Sequence, residues 1–195
     1  MLISKFDTTD IEKKIADFES KHSISLPEQY RGFMLKYNGG DTPETDFKCK
    51  RTSSDVRAFF GIGCDDYYSF ENLFEKVLAW SDPLPKYIKK GFLPIAEDSY
   101  GNYILIGISE ENNGQIFFAD HEKGGRRKLL TDDFAGFIRS CTTGEIDLSD
   151  IETPEAKEQR MIAEGKGDRI NDFIRKIWKD NYELYSNLHP EEVVL

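Results

Sequence analysis

The stretch from Gly91 to Glu122 constrains the fold most, because it predicts three β-strands in direct succession. Phe92 to Ala96 is an apolar run, Tyr103 to Ile108 is β-branched and aromatic, and Gln115 to Ala119 is a third such run. Turn-forming residues fill both gaps, which favours an antiparallel meander. Apolar residues occupy both faces of the middle run, so we expect a central strand that is covered on each side.

The composition predicts a folded chain with an acidic surface. Its 195 residues are 38% hydrophobic and 13% aromatic, which suits one domain with an appendage and a substantial core. Lysine and arginine total 26 against 36 aspartate and glutamate, a formal charge of −10. Nucleic acids and acidic membranes are polyanions, so this charge argues against direct binding to either and favours a basic partner. The same charge has the simpler role of keeping the protein in solution.

The cysteines indicate a reducing environment. Cys49, Cys64 and Cys141 are far apart and lack the paired spacing of a disulfide framework or a zinc site, so we expect neither a metal nor another cofactor. The first residues contain no apolar run of signal-peptide length, and no segment approaches the ~20 apolar residues of a membrane helix. The sequence therefore predicts a cytoplasmic protein without a membrane anchor.

Two amphipathic helices are predicted before residue 41. Thr9 to Glu12 has the capping-box pattern, and a helix is expected from there to near His22. Pro27 suits the first turn of a second helix, and Gly39-Gly40 provides its left-handed end. The apolar stripe of this second helix consists of Tyr30, Phe33, Met34 and Tyr37.

Two further strands and a third helix are predicted between residues 47 and 78. Phe47 to Arg51 is a candidate edge strand, and Val56 to Ile62 is a more apolar one. Ser69 is a candidate N-cap for the helix. Its stripe consists of Phe70, Leu73, Phe74, Val77 and Leu78.

Helices and an acidic linker are predicted after the meander. Thr131 is the predicted cap of a helix whose apolar face includes Phe134 and Phe137. An acidic, proline-containing stretch begins at Glu145, so we expect one α+β domain over residues 1–144, followed by a linker and a C-terminal helical extension over residues 145–195. Asp168 is the predicted cap of the last helix.

The last predicted helix carries an apolar stripe that must be buried somewhere. Phe173, Ile177 and Trp178 are its main members. The stripe either packs back on the domain or forms a dimer or partner surface. Both possibilities are open at the level of the sequence.

Four short motifs follow one another between residues 8 and 142. They are Leu26-Pro27-Glu28-Gln29-Tyr30 leading to Tyr37-Asn38-Gly39-Gly40; Phe92-Leu93-Pro94-Ile95-Ala96 with Asp98 and Gly101-Asn102-Tyr103; Gly114-Gln115-Ile116-Phe117 running into Asp120-His121-Glu122; and Phe134-Ala135-Gly136-Phe137-Ile138. In this order they resemble the SUKH superfamily, which includes a fungal cell-wall-synthesis regulator and many bacterial immunity proteins. Phe118 stands where members often carry tryptophan, and the segment after Gly144 lies outside the resemblance.

The resemblance implies an α+β fold with a central, mostly antiparallel sheet covered by helices. It also implies a non-enzymatic cytoplasmic protein that binds and neutralises a cognate polymorphic toxin, often a nuclease. A regulatory or scaffolding module of the cell-wall-regulator type is the alternative within the same family. The family supplies no catalytic residue set to transfer, so neither alternative assigns a catalytic residue.

A hydrolase is a third and more remote hypothesis. Glu97 and Asp98 lie beside a turn, and two crowded carboxylates can hold one proton between them at neutral pH. Neither a second acidic pair nor a metal-ligand pattern accompanies them in the sequence. Ordinary turn chemistry is the favoured explanation of the two residues.

A partner-binding surface is predicted from the acidic loops and their tyrosines. Nucleases need basic surfaces to hold their substrates, so an acidic surface with aromatic anchors can occlude them and speed their capture. The predicted contact residues share a position in a loop or at a strand end. They are Asp41, Asp65, Asp66, Tyr67, Glu97, Asp98 and Tyr100.

Overall fold

Eleven strands and seven α-helices are found in the described part of the chain. The computed structural model describes residues 1–65, 67–75, 84–124, 126–145 and 152–195. In chain order the strands are β1 Leu2–Lys5, β2 Gly40–Asp41, β3 Thr45–Cys49, β4 Thr52–Asp55, β5 Ala58–Phe59, β6 Phe92–Glu97, β7 Tyr103–Gly107, β8 Ile116–Asp120, β9 Arg126–Thr131, β10 Cys141–Thr143 and β11 Glu191–Glu192. The helices are α1 Ile11–His22, α2 Glu28–Tyr37, α3 Phe70–Glu75, α4 Leu84–Lys89, α5 Phe134–Ser140, α6 Pro154–Ala163 and α7 Asp172–Ser186.

Two antiparallel sheets organise these elements. The main sheet has the order β11-β1-β2-β5-β6-β7-β8-β9, and a small sheet has the order β10-β3-β4. The predicted α+β class and the predicted meander of β6, β7 and β8 are confirmed. All five residues of β7 are buried, so the expectation of a central strand covered on both faces is also correct.

Helices α2 and α5 cover one face of the main sheet with aromatic side chains. The ring of Phe33 in α2 lies 5.1 Å from the ring of Phe59 in β5 and 5.2 Å from that of Phe134 in α5. The four predicted stripe residues of α2 are all buried, as are Phe134 and Phe137 of α5. Both predicted apolar faces are therefore confirmed, and they meet over β5.

The predicted capping box at the start of α1 is wrong. The cap residue is Asp10, whose backbone is left-handed at φ 53° and whose side chain makes no capping hydrogen bond. The hydroxyl of Thr9 instead donates to the carboxylate of Asp7 at 2.7 Å. Asp7 offers that hydroxyl a charged acceptor two residues away, and this bond replaces the helical one.

Two other predicted caps are displaced by a few residues. The carboxylate of Asp133, not the hydroxyl of Thr131, accepts from a backbone amide of α5. In the same way Asn171, not Asp168, caps α7. Each segment offers several Ser, Thr, Asn or Asp residues of similar capping strength, so tertiary packing selects among them. Ser69 is correct, since its hydroxyl accepts from the third residue of α3.

Two predicted strands differ from the structure, and the end of the third predicted helix lies outside the described residues. The strand predicted at residues 47–51 is β3, which lies between β4 and β10 and is not an edge strand. One of its two neighbours is β10, which follows α5 in the chain, and no local sequence pattern reveals this pairing. The strand predicted at residues 56–62 pairs only over Ala58–Phe59, because Gly61 turns its amide to Tyr68 and leaves the sheet. In the third helix, Val77 and Leu78 lie outside the described residues.

The chain divides into two compact units. One contains Met1–Gly144 together with Pro190–Leu195, and the other contains Glu145–His189. The predicted C-terminal helices are present as α6 and α7, while residues 146–151 of the predicted linker lie outside the described part of the chain. The assignment of all of residues 145–195 to an extension is wrong for its last six residues, because β11 pairs with β1. Two paired residues are too few to leave a periodic signal in the sequence.

The second unit is built on α6 and α7. Arg175 of α7 forms a two-pronged ion pair with Glu158 of α6, with N–O distances of 2.9 and 3.0 Å. Phe173 is 70% exposed and Ile177 is 37% exposed, whereas Trp178 is buried. A dimer surface on α7 would therefore consist of Phe173 and Ile177. This dimer surface stays a prediction.

Within the described residues, no helix combines the length and the apolar character needed to cross a membrane.

Candidate functional site

The turn between β6 and β7 is organised by a buried carboxylate. Asp98 is only 2% exposed. Its Oδ1 accepts from the backbone amides of Tyr100 at 2.9 Å and Asn102 at 2.8 Å. Its Oδ2 accepts from the side-chain amide of Asn102 at 2.8 Å and from the hydroxyl of Ser54 at 2.7 Å. Four donors occupy the carboxylate, so Asp98 holds the turn in place and is not the exposed contact residue that the sequence predicts.

Two further contacts fix the same turn to neighbouring strands. The side-chain oxygen of Asn102 accepts from the backbone amide of His121 at 2.9 Å, just beyond β8. The carboxylate of Asp55, at the end of β4, accepts from the amide and the hydroxyl of Ser99. Tyr100 lies at the tip of this braced turn and is 72% exposed. The turn therefore presents one aromatic ring from a defined backbone.

Glu97 and Asp98 do not form the carboxylate pair that a hydrolase would need. Glu97 is the last residue of β6 and lies opposite Tyr103 in the sheet. Asp98 turns toward Ser54 of the small sheet, while Glu97 interacts electrostatically with Tyr68 and Tyr103. Consecutive residues at a strand end point to opposite faces, which separates the two carboxylates. The two side chains therefore have different partners, and this geometry does not support the hydrolase hypothesis.

Asp41 and Glu97 lie on one face of the main sheet. Asp41 in β2 is directly opposite Ala58 in β5, and Ala58 is directly opposite Glu97 in β6. Directly opposite residues share a face, and two strand spacings separate the acids by about 10 Å. Ala58 lies between them in this row and is fully buried.

Two tyrosines lie beside Glu97 on this face. The rings of Tyr67 and Tyr68 are 4.9 Å apart and nearly perpendicular. Burial raises the pKa of Tyr68 and nearby Glu97 raises it further, whereas Arg57, which is hydrogen-bonded to the phenol, opposes the shift. Tyr67 is 61% exposed and Tyr68 is half-buried against Phe60, with ring centroids 6.3 Å apart.

These residues define a surface that we name the acidic tyrosine patch. Asp65 is exposed and precedes the tyrosines in the same loop. Asp66, also predicted as a contact, lies outside the described residues. The patch consists of Asp41, Asp65, Tyr67, Tyr68 and Glu97. Three of these residues are carboxylates, and the guanidinium of Arg57 lies beside Tyr68.

Tyr100 lies in a different setting, on a polar cleft of about 490 Å³ at the small sheet. Asp46 of β3 is directly opposite Asp55 of β4 at this cleft. Lys48 and several serine and threonine hydroxyls complete its lining. Like charges directly opposite each other on a sheet are unfavourable, so the cleft suits a cationic group better than an anionic one. The described residues contain no group of three His, Cys, Asp or Glu side chains that could hold a metal ion.

The comparison with protein families identifies the fold. A model of the SMI1/KNR4 family (SUKH-1) matches residues 12–140, well over half of the chain. The chain belongs to the SMI1/KNR4 family. The predicted resemblance is thus confirmed, and a comparison with curated proteins gives no match. SUKH-1 members are commonly immunity proteins of polymorphic toxin systems and are generally non-enzymatic immunity or regulatory proteins, so the family implies a protein partner.

The SUKH-1 match covers both the braced turn and the acidic tyrosine patch. It begins within α1 and ends at the last residue of α5, so β1, β10, β11 and the second unit lie outside it. Ser54 and Asp55 lie within the matched residues, and sequence reasoning did not predict their contacts with the turn. They stand in a serine-rich strand with no local sign of function, and their partners lie 44 residues away. Tyr68 accompanies Tyr67 and Tyr100 in the predicted tyrosine-bearing surface, although it is not one of the seven predicted contact residues.

Proposed function

We propose that this SUKH-1 protein is an immunity protein that neutralises a cognate toxin by binding it stoichiometrically. The toxin is a protein with a basic active face, of the nuclease class. Family membership supports the immunity role, and the acidic tyrosine patch is the observation that carries the choice of a basic partner. The protein acts in the cytoplasm, without a cofactor and without direct contact to nucleic acid or membrane.

The chemistry of the patch matches the needs of nuclease inhibition. A nuclease holds its polyanionic substrate with lysine and arginine side chains, and carboxylates on an inhibitor can occupy the same groups. Asp41 and Glu97 supply two such carboxylates on one face of the sheet, and exposed Asp65 supplies a third from the loop that carries the tyrosines. Asp66 follows Asp65 in the sequence, and its part in the proposed contact rests on that sequence position alone. Complementary charge raises the rate of encounter and orients the two proteins before they touch.

The tyrosines supply the anchor of the proposed interface. Tyrosine buries a large area while losing little side-chain freedom, which makes it a frequent hot spot. Tyr67 is exposed, but its ring rests on Tyr68, and Tyr68 in turn rests on Phe60 of the core. A ring held in this way is already close to one conformation before binding. Tyr100 extends the contact surface, and Asp98 contributes by positioning the turn that carries it.

The decisive experiment is a titration of the toxin with this protein. If a large secreted toxin is encoded immediately upstream of this gene, its purified C-terminal domain is the probe. Its nuclease activity should fall linearly and reach zero at one equivalent of the immunity protein. A complex that fails to form although both proteins are folded would contradict the proposal. A genome without a neighbouring toxin gene would favour the regulatory module of the cell-wall-synthesis type.

A pair of charge-reversal variants tests the patch itself. Asp65→Lys with Glu97→Lys should slow association about tenfold at low ionic strength, because steering depends on the local charge. The difference should shrink in high salt, where the Debye length is a few ångströms. Glu110→Lys with Glu111→Lys is the matched control, since it changes the net charge equally but lies at the opposite end of β7. Equal rates for the two variants would place the binding face elsewhere, and Phe173 and Ile177 would be the next residues to test.

A further inference from the structure

The chain contains two Asn-Gly pairs, Asn38-Gly39 and Asn113-Gly114. In such a pair the amide nitrogen of the glycine can attack the side-chain carbonyl of the asparagine, because glycine has no side chain to hinder the approach. The sequence treats the two pairs alike. The structure separates them, because it buries one asparagine and exposes the other.

Asn38 is protected by burial and by hydrogen bonds. It caps the C-terminal end of α2 and is 0% exposed. Its Nδ2 donates to the carbonyls of Asp7 at 2.8 Å and Ile62 at 3.0 Å, and its Oδ1 accepts from the amide of Ile62 at 2.9 Å. The carboxamide cannot turn toward the amide of Gly39 without breaking these three bonds, and unpaired buried polar groups are costly.

Asn113 lies in the turn between β7 and β8 and is exposed. The amide of Gln115 donates to the carbonyl of Asn112 at 2.9 Å, so Asn113 and Gly114 are the two central residues of this turn. The side-chain carboxamide of Asn113 makes no hydrogen bond within the described part of the chain. Gly114 has a φ of +80°, and a Cβ placed on it would meet only Pro27, at 3.8 Å. The Asn113-Gly114 peptide is therefore surrounded by open space.

The neighbouring Asn112 holds the turn in place of Asn113. Its Oδ1 accepts from the amide of Ser109 at 3.0 Å and from the hydroxyl of Ser109 at 2.9 Å. Its Nδ2 donates to the carbonyl of Gly91 at 3.1 Å. Two consecutive asparagines thus have different roles, since the first fixes the turn and the second has a carboxamide that takes no part in holding it.

One backbone bond slows the attack at Asn113 without preventing it. The amide of Gly114 donates to the carbonyl of Gly107 at 3.0 Å. Exposed turns open locally at a much smaller free-energy cost than buried elements do. The folded protein should therefore react at Asn113 more slowly than the unfolded chain does, but much faster than it reacts at Asn38.

We propose that Asn113 is a site of spontaneous deamidation in the folded protein, and that Asn38 is protected from the same reaction. The nitrogen of Gly114 loses its proton to solvent and forms a bond to Cγ of Asn113. The bond from Cγ to the carboxamide nitrogen breaks, and that nitrogen takes up a proton and leaves as ammonia. Water then opens the cyclic imide at either of its carbonyls, which gives aspartate or isoaspartate. Water is the only co-reactant.

Both products change the turn between β7 and β8. Each adds a carboxylate, which makes the formal charge one unit more negative than −10. Isoaspartate also brings the side-chain methylene into the main chain between residues 113 and 114, which lengthens the turn next to the bond from Gly114 to Gly107. This turn lies at the opposite end of β7 from the turn that carries Tyr100. The proposal is therefore independent of the toxin-binding role.

Mass spectrometry of peptides from the aged protein tests the proposal. The folded full-length chain is held in mildly alkaline buffer, and a second sample is held in the same buffer with urea. In the folded sample Asn113 should convert more than about tenfold faster than Asn38. In urea both sites should convert at similar rates, because only the fold separates them. Equally slow conversion of Asn113 and Asn38 in the folded sample overturns the proposal, as does a failure of Asn113 to convert in urea.

Asn113→Gln is the control variant. Glutamine keeps the amide but has a longer side chain, so attack by the next amide must close a larger ring and is much slower. The variant should unfold at the same urea concentration as the wild-type chain, since the side chain at this position is exposed. It should also lose the acidic form that ion-exchange chromatography resolves in the aged wild-type protein. An acidic form that accumulates equally fast in the variant overturns the proposal. A product at residue 113 that contains aspartate without isoaspartate also overturns it, because it excludes the cyclic imide.

Discussion

Replacing Asp98 with alanine should destabilise the protein strongly, although the sequence places this residue in an acidic turn. The carboxylate receives four hydrogen bonds and is 2% exposed. Hydrogen bonds to a charged group contribute about 1.5–3 kcal/mol each, so four at the lower limit would sum to about 6 kcal/mol. The donors lie close to the surface, and water can replace part of what they lose. We therefore expect a loss of about 3 kcal/mol in the free energy of unfolding, a large share of typical protein stability.

Urea unfolding with a neighbouring control measures this effect. Glu97→Ala removes a carboxylate from the adjacent residue, which is only half-buried, and should cost no more than about 1 kcal/mol. Ser54→Ala combined with Asp98→Ala should cost less than the sum of the two single changes, because both remove the same 2.7 Å bond. Equal stabilities of Asp98→Ala and Glu97→Ala would refute the assignment of Asp98 as the residue that holds the turn.

Two further predictions concern titratable side chains. Burial raises the pKa of Cys141 to about 12, and the nearby Cys49 adds to the shift. A thiol reagent at pH 8 should therefore modify the half-buried Cys64 first, and mass spectrometry showing equally fast labelling of Cys141 in the folded protein would contradict this. Burial lowers the pKa of His22 below its usual 6.5, so the unfolded chain binds a proton at a higher pH than the folded chain. The free energy of unfolding should fall as the pH drops through about 6.5 and level off below the folded pKa, and His22→Gln should flatten this part of the urea-derived pH profile.

The sheet centre and the helix faces were predictable because each has a periodic pattern and a local turn. The middle strand of the meander carries apolar residues on both faces, and all of them are buried. Tyr30, Phe33, Met34 and Tyr37 recur at helical spacing, and all four lie in the core. Such patterns depend on the local chain alone, so they can be detected without knowledge of the tertiary fold.

The candidate site was only partly predictable because its geometry depends on strand register. Asp41 and Glu97 share a face through Ala58, and two strand pairings decide that arrangement. Asp98 has the sequence context of an exposed turn residue, yet Ser54 and the turn itself surround it. An aspartate in a turn is equally compatible with solvent exposure and with a capping role, so the sequence cannot separate the two.

The pairing of residues 190–195 with β1 was missed for a related reason. It consists of the two paired residues of β11 and one further bond from Val193 to Met1. The hydroxyl of Tyr37 accepts from Val194, but the ring of Tyr37 alone explains its place in the helix stripe. Both contacts connect positions more than 150 residues apart in the chain. Contacts of this range follow from the completed sheet and not from any local pattern.

Rescue of growth in cells that make the toxin is the most direct measurement of the proposed function. If the gene upstream encodes a toxin, expression of its toxin domain should stop growth, and coexpression of this chain should restore it. The variant with Asp65→Lys and Glu97→Lys should fail to restore growth, while Glu110→Lys with Glu111→Lys should succeed. Absence of rescue by the folded wild-type chain would contradict the immunity function.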